Sequence, residues 1–194
     1  MTWLVAGLGN PGDRYAKTRH NLGYRVVDEL ARRSGERFRK VRFVPADAAE
    51  IEVEGERMIL SKAHAYMNET GPAFVSLARK HRVESDHVIA VHDDIDLLFG
   101  ALRVKFGGST AGHNGLLSVG GALKTPDFSR VRLGVGRPPG RMDAADWVLK
   151  DFAKKEEPDV ELLVDDAADA VLSLVRQGLT ATQDRFNRPG PRES

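Results

Sequence analysis

Two runs of the chain, WLVAGL (3–8) and VIAVHDD (88–94), are apolar at successive positions instead of alternate ones. A strand without a polar face must be covered on both sides, the condition of a central strand between two helix layers. The neighbouring segments supply those layers. NLGYRVVDELARRSG (21–35) sets Leu22, Val26, Val27 and Leu30 at helical spacing and closes on Gly35. GPAFVSLARKHRV (71–83), GLLSVGGALK (115–124) and ELLVDDAADAVLSLVRQG (161–178) are helical in pattern as well. AAEIEVEGERMILSKA (48–63) reads as a hairpin turning near Gly55, and GALRVKF (100–106) and SRVRLGVG (129–136) as further strands. The expected fold is α/β, a single three-layer domain with a mixed twisted β-sheet and helices on both faces.

A length of 194 residues, 41% apolar and 29% charged, suits one domain with a real core. No repeat or linker divides it. The folded domain is expected to span 1–187, with RPGPRES (188–194) as a disordered tail. No run of about 18 apolar residues proposes a membrane span. The N-terminus lacks the basic flank and cleavage site of an export signal, so a cytoplasmic location is expected. The absence of cysteine excludes disulfides, a thiolate nucleophile and cysteine-based metal sites. A net charge of +1 argues against a dedicated duplex-binding protein, yet the charges are segregated. ARRSGERFRKVR (31–42) sets six basic residues against Glu36, whereas Asp143 to Asp169 holds ten acids and three lysines. A charge run is ordinarily a solvated face, but such asymmetry can orient a polyanion.

Sites in these sheets gather beyond the carboxyl ends of the strands, here Gly9–Asn10, His92–Asp96 and the glycine loop 107–115. Three familiar motifs come close and fail. Gly7, Gly9 and Gly12 spell G-x-G-x-x-G after a strand, but Pro11 pushes Asn10 from helical dihedrals and the next helix begins near residue 20. The three glycines are instead expected to let the backbone turn tightly after the first strand. GGSTAGHN (107–114) has His113–Asn114 where a phosphate loop needs Lys and Ser/Thr, and Ser109 has Ala111 where a nucleophile elbow needs glycine. His92, Asp93, Asp94 and Asp96 resemble a metal cluster, but no second ligand set accompanies them.

What survives is a group of amides, Asn10, Asn68 and Asn114, around His20 and Asp93. Each has a structural reading: Asn68 and Asn114 as helix caps, Asn10 as a turn residue, His20 as a packed or capping side chain. Together they suit one chemistry. A histidine held by a carboxylate deprotonates water near neutral pH, and side-chain amides hold a carbonyl and its developing oxyanion. Without a cysteine or an elbow serine, direct attack of water on an ester is the economical route.

GLGNPGDRYAKTRHNLGY (7–24), YMNETG (66–71), HDDIDLLFG (92–100), GGSTAGHNGLLSV (107–119) and RVRLGVGRPPG (130–140) resemble, in order, the bacterial-type peptidyl-tRNA hydrolase family. The resemblance runs from about Trp3 to Asn187. It implies a monomeric α/β enzyme, without cofactor, metal or obligate protein partner, that cleaves the ester between a peptide and the terminal ribose of tRNA. By that resemblance His20 is the general base, Asp93 its partner, and Asn10 distinguishes a blocked α-amine from a free one. Asn68 and Asn114 hold the substrate near the ester. Tyr15 and Tyr66 form aromatic walls at the tRNA end, with Met67 beside them; Tyr66 and Met67 also have a plain packing explanation. Lys105 and Arg132 match a clamp on the 5′ phosphate, and Arg103 is a helper. Strand alternation agrees, placing Arg103 with Lys105 and Arg130 with Arg132 on shared faces, although solvated edge strands look the same.

Three departures stand out: LLFG (97–100) in place of a proline-containing turn, Thr70 where serine is frequent, and Ser-Thr-Ala in a loop usually richer in glycine. Two other classes compete with the esterase. One is an RNA-binding accessory without hydrolysis, against which stand His20, Asp93 and Asn10. The other is a metal-dependent hydrolase built on His92, Asp93, Asp94 and Asp96.

Overall fold

The structure is a computed structural model that describes residues 1–187; the expected tail at 188–194 lies outside the described residues. Seven strands form one mixed sheet: β1 (Thr2–Gly7), β2 (Arg39–Lys40), β3 (Ala46–Val53), β4 (Glu56–Ala63), β5 (Val88–Asp94), β6 (Leu102–Phe106) and β7 (Ser129–Gly134). Their order is β2-β3-β4-β1-β5-β7-β6. β1 lies parallel between β4 and β5, and β5 is parallel to β7. β2 and β3 run antiparallel on one side and β6 on the other. All seven residues of β5 are buried, as its unbroken apolar run requires.

Among the described residues six α-helices accompany the sheet: α1 (Leu22–Arg33), α2 (Gly71–His81), α3 (Asn114–Leu123), α4 (Ala144–Val148), α5 (Glu157–Gln177) and α6 (Leu179–Phe186). On one face Leu22, Val26, Val27 and Leu30 of α1 and Val160, Leu163 and Val171 of α5 pack on Val5, Leu60 and Val91. On the other, Phe74 and Leu77 of α2 and Leu116 and Val119 of α3 pack on Leu4, Ile59 and Ala90. The three-layer α/β fold read from the sequence is the fold observed. Among the described residues no helix is long and apolar enough to cross a membrane.

The hairpin turns at Glu54–Gly55, both at positive φ (53° and 85°), the mirror-image turn that matches strand twist. The strand β2 and the short helix α4 are additions to the sequence reading, being too short to show a period. Gly178, at φ 81°, divides the last helical pattern into α5 and α6. Arg185 and Phe186 close α6, and beyond them Asn187 bonds the edge strand β6 through both backbone groups of Val104 (2.6 and 2.9 Å).

The first glycine cluster behaves differently from the expectation of a tight turn. Gly12 alone of the three has positive φ, 102°. Gly7 and Gly9 are there for clearance: a Cβ on Gly7 would press on Val27 and the Gly23 carbonyl, and one on Gly9 on the Tyr24 ring. A tighter approach belongs to Gly23, where a Cβ would overlap the Val91 carbonyl oxygen and the backbone of Leu8. The absence of a side chain there lets the first turn of α1 sit directly on the ends of β1 and β5. Gly23→Ala is expected to lower stability by about 2–3 kcal/mol by overpacking rigid backbone. In a urea titration the midpoint should fall with an unchanged slope.

Candidate active site

The carboxyl ends of β1, β4 and β5 open into a cavity of about 620 Å³. Asn10, His20, Tyr66, Asn68, Asp93 and Asn114 are among its lining residues, with Tyr15 and Met67 beside them and one wall made by Ala144, Ala145, Val148 and Leu149. The residues singled out in the sequence, apart from the basic ones, thus converge on one cleft.

Its centre is Asp93, 1% exposed at the end of β5. A short 3₁₀ turn, Arg19–Asn21, leads into α1 and brings in His20, whose Nδ1–H donates to both carboxylate oxygens at 2.9 and 3.1 Å. With Nδ1 so engaged, Nε2 is the nitrogen left to meet a substrate. His20 is buried. His113 approaches the same carboxylate, its ring centroid 5.2 Å from that of His20. Its Nδ1 accepts the N–H groups of Gly115 (3.1 Å) and Leu116 (3.3 Å), capping α3. That leaves the proton on Nε2, which donates to Asp93 Oδ1 at 3.0 Å. His113 is therefore a fixed donor. His92 Nδ1–H bonds the Asp93 main-chain oxygen at 2.7 Å, while its buried Nε2 has no hydrogen-bond partner among the described residues.

These contacts set the titration of the group. Burial opposes ionisation of Asp93, and the opposing pull of His20 and His113 overcomes it, holding the carboxyl far below its usual range. Burial would also depress His20, but attraction to Asp93 and their hydrogen bond together raise its pKa above the ordinary 6.5. Burial, with His113 next to it, pushes His92 well below that value, so His92 is neutral.

Asn10 is held as firmly. Its backbone N–H donates to Asn21 Oδ1 and its carbonyl accepts from Asn21 Nδ2, both at 2.9 Å. Asn10 Oδ1 accepts the Met67 N–H at 2.7 Å, so the amide NH₂ is the end available to a ligand. Asn68 and Asn114 are not caps: His113 caps α3, and Asn68 lies within the 3₁₀ turn Met67–Glu69. Both are exposed on the cavity lining. Tyr15 and Tyr66 meet edge to face with centroids 6.1 Å apart. Met67 is both lining and packing, buried against Gly115.

The other expected clusters come apart. Asp94 Oδ2 accepts from Arg132 Nε at 2.9 Å, Asp94 Oδ1 from the Asp96 N–H at 2.8 Å, and Asp96 pairs with Arg137. The His92–Asp96 run therefore does not gather around one point. The His and Asp side chains that do lie within 4.8 Å of one another are His20, Asp93 and His113. Their N–H groups already satisfy the carboxylate, and a cation would have to displace them. Ser109 is turned to the backbone of its own loop, accepting from the Ala111 N–H at 3.0 Å.

In β6 and β7, Val104, Val131 and Leu133 enter the core under α1 and α5, so Arg103, Lys105, Arg130 and Arg132 share the opposite face, as alternation predicts. Within that set Arg130 is fully buried and holds the loop carbonyls of Gly108 and Ser109 and that of Pro126. Arg103 donates to the Leu102 carbonyl at 2.9 Å. Partial burial, then the like charges of Arg132 and Arg130, lower the Lys105 ammonium. Arg132 of that cluster is paired with Asp94.

Sequence reasoning missed Arg19, Asn21 and His113. The Arg19 guanidinium lies 3.5 Å from the Trp147 ring centroid and donates to the carbonyls of Lys150 (3.1 Å) and Asp151 (3.0 Å). It ties the wall helix α4, too short to stand alone, to the turn carrying His20. A histidine before a helix and an arginine before a histidine carry no periodic signal; Asn21, adjacent to His20, was hidden by its place at a helix start. A titration of His20 followed by NMR is expected to give a midpoint above 6.5. Asp93→Asn should bring it below that value, because burial then acts without the compensating charge.

Comparison with known proteins now adds to this geometry. The family model for peptidyl-tRNA hydrolase matches residues 4–193. A peptidyl-tRNA hydrolase of Arthrobacter sp. (strain FB24) is 50% identical over 188 residues, covering 96% of both chains. One from Mycobacterium sp. (strain KMS) is 51% identical over 181 residues, 93% of this chain and 94% of the relative. The crystal structure of peptidyl-tRNA hydrolase from Acinetobacter baumannii superposes with a TM-score of 0.88 at 30% identity, over 98% of this chain and 96% of that one. On a match that spans nearly its whole length, with the fold to go with it, this chain belongs to the peptidyl-tRNA hydrolase family.

Proposed function

We propose that the protein hydrolyses the ester joining a peptide, or an N-blocked aminoacyl group, to the 3′-terminal ribose of tRNA, using water and no covalent intermediate. The observation that carries this reading is His20 turned by Asp93 so that Nε2 serves a cavity lined by three asparagines. Nε2 removes a proton from water as its oxygen attacks the ester carbonyl carbon. The imidazolium that results is stabilised by the Asp93 carboxylate, itself steadied by the His113 Nε2–H. The carbonyl electrons move onto oxygen, where side-chain amide donors stabilise the charge. Collapse breaks the bond to the ribose oxygen, which takes the proton back from Nε2.

Asn10 accounts for selectivity in the same terms. With its oxygen committed to Met67, it presents NH₂ to the ligand, a donor suited to a peptide carbonyl and unsuited to a protonated α-amine. Asn68 and Asn114 hold the acyl part near the ester, and Tyr15 and Tyr66 wall the end that takes the terminal nucleotide. Lys105 and Arg132, with Arg103 beside them, take the 5′ phosphate; the Asp94 bond fixes Arg132 in orientation. Contacts to phosphate supply affinity and register without reading bases, which suits a substrate that includes every tRNA.

The test is release of the acyl group from N-acetylated and free aminoacyl-tRNA. Hydrolysis of the blocked form alone is expected, and equal rates on both would overturn the assignment. His20→Gln, whose amide still reaches toward Asp93, should lower kcat about a thousandfold; near-parent turnover would remove His20 from the mechanism. Lys105→Ala combined with Arg132→Ala should raise KM for tRNA substrates and flatten the salt dependence. A minimal N-blocked aminoacyl-adenosine ester should be cleaved as before.

A further inference from the structure

The basic run at 31–42 has no part in the chemistry above, and the structure divides it in two. Arg32 and Arg33 are neutralised: both bond Glu29, and Arg33 also pairs with Asp165 and Asp169 of α5. The acidic stretch of the chain thus absorbs the helical end of the run. Arg37, Arg39, Lys40 and Arg42 are all exposed, and among the described residues none has a carboxylate partner. Asp47, opposite Lys40 in the register, is engaged by His64. Beside them stands Phe43, 90% exposed.

The backbone presents Phe43 deliberately. Val41 N–H bonds the Ala46 carbonyl (2.9 Å), and the Ala46 N–H bonds Val44 (2.8 Å), closing a tight turn. At its tip Phe43 has φ 65°, in the left-handed region that residues other than glycine rarely adopt. The Arg42 guanidinium lies 4.6 Å from its ring centroid. The topology places this turn at the active end of the sheet. β2 ends where β3 begins, β3 begins opposite the end of β4, and β4 ends level with β1. The Pro45 carbonyl accepts the His64 N–H at 2.8 Å, two residues before the cavity residue Tyr66. The turn therefore continues the cleft rim past Tyr66, two strand spacings or about 10 Å further out.

We infer that Arg37, Arg39, Lys40, Arg42 and Phe43 form a second contact for the RNA body of the substrate, on the rim opposite the β6–β7 cations. The inference rests on the peptidyl-tRNA reading. Four unneutralised cations meet a phosphate backbone by counterion release, and an exposed aromatic ring between them offers a stacking face to an unpaired base. Contacts on two rims fix the direction in which a polyanion crosses the cleft, where a single phosphate clamp leaves it free to pivot.

The experiment compares the parent, a variant with Arg37, Arg39, Lys40 and Arg42 all changed to Gln, and Phe43→Ser. KM for N-acetylated aminoacyl-tRNA is measured over a salt series, together with cleavage of the minimal adenosine ester and binding of labelled deacylated tRNA. The fourfold variant should raise KM about tenfold near 0.1 M salt and make the log–log salt slope shallower by about three. Its kcat, its thermal midpoint and its cleavage of the minimal ester should match the parent. Phe43→Ser should weaken tRNA binding severalfold and leave the salt slope unchanged. A KM and slope within twofold of the parent would overturn the surface, as would equal losses on the minimal ester. Failure of the parent to cleave blocked aminoacyl-tRNA would overturn the reading beneath it, and the deacylated tRNA would still report on the surface.

Discussion

Asp93 is a carboxylate with almost no access to water, and a buried ion of that kind costs several kcal/mol unless donors replace its hydration. Two imidazole N–H groups do so, one from the turn ahead of α1 and one from the cap of α3. The two donors have their proton positions decided in different ways. His113 is forced to carry its proton on Nε2 because helix N–H groups occupy Nδ1, and His20 follows the carboxylate. Three elements that are far apart in the chain are thereby locked around one charge, and His20 acquires both its tautomer and its raised pKa from that arrangement.

The same economy governs the surroundings. Gly23 and Gly7 carry no side chain, which lets α1 descend onto the strand ends and set His20 within reach of β5. Reciprocal amide bonds between Asn10 and Asn21 fasten the loop after β1 to that same turn. Arg19, stacked on Trp147, fastens the far wall of the cavity to it as well. The short turn Arg19–Asn21 is the junction through which His20, Asn10 and the cavity wall are aligned.

Charge is distributed with similar separation. Acids of α5 neutralise the helical arginines, and Asp94 orients Arg132. Among the described residues, Arg37, Arg39, Lys40 and Arg42, around β2, lie without an acidic partner. A protein with a net charge of only +1 thus keeps its open positive charge in local patches.

Much of this was legible in the chain itself. Apolar runs at every position announced buried strands, helical spacing announced α1, α2 and α5, strand ends picked out Asn10 and Asp93, and shared chemistry grouped His20, Asn68 and Asn114 with them. Those inferences succeed because periodicity, proline dihedrals and strand-end geometry depend on neighbouring residues. The roles of His113, Asn21 and Arg19, the burial of His20 and Arg130, and the split of the basic run into neutralised and open halves were invisible there. Each depends on a partner remote in sequence: His20 meets Asp93 across 73 positions, and Arg19 meets Lys150 across 131. Local pattern determined which segments became strands and helices and which polar residues stood at their ends. Tertiary packing decided which of those residues share a proton, which are neutralised and which remain for a ligand, because hydrogen bonding and charge act through space, not along the chain.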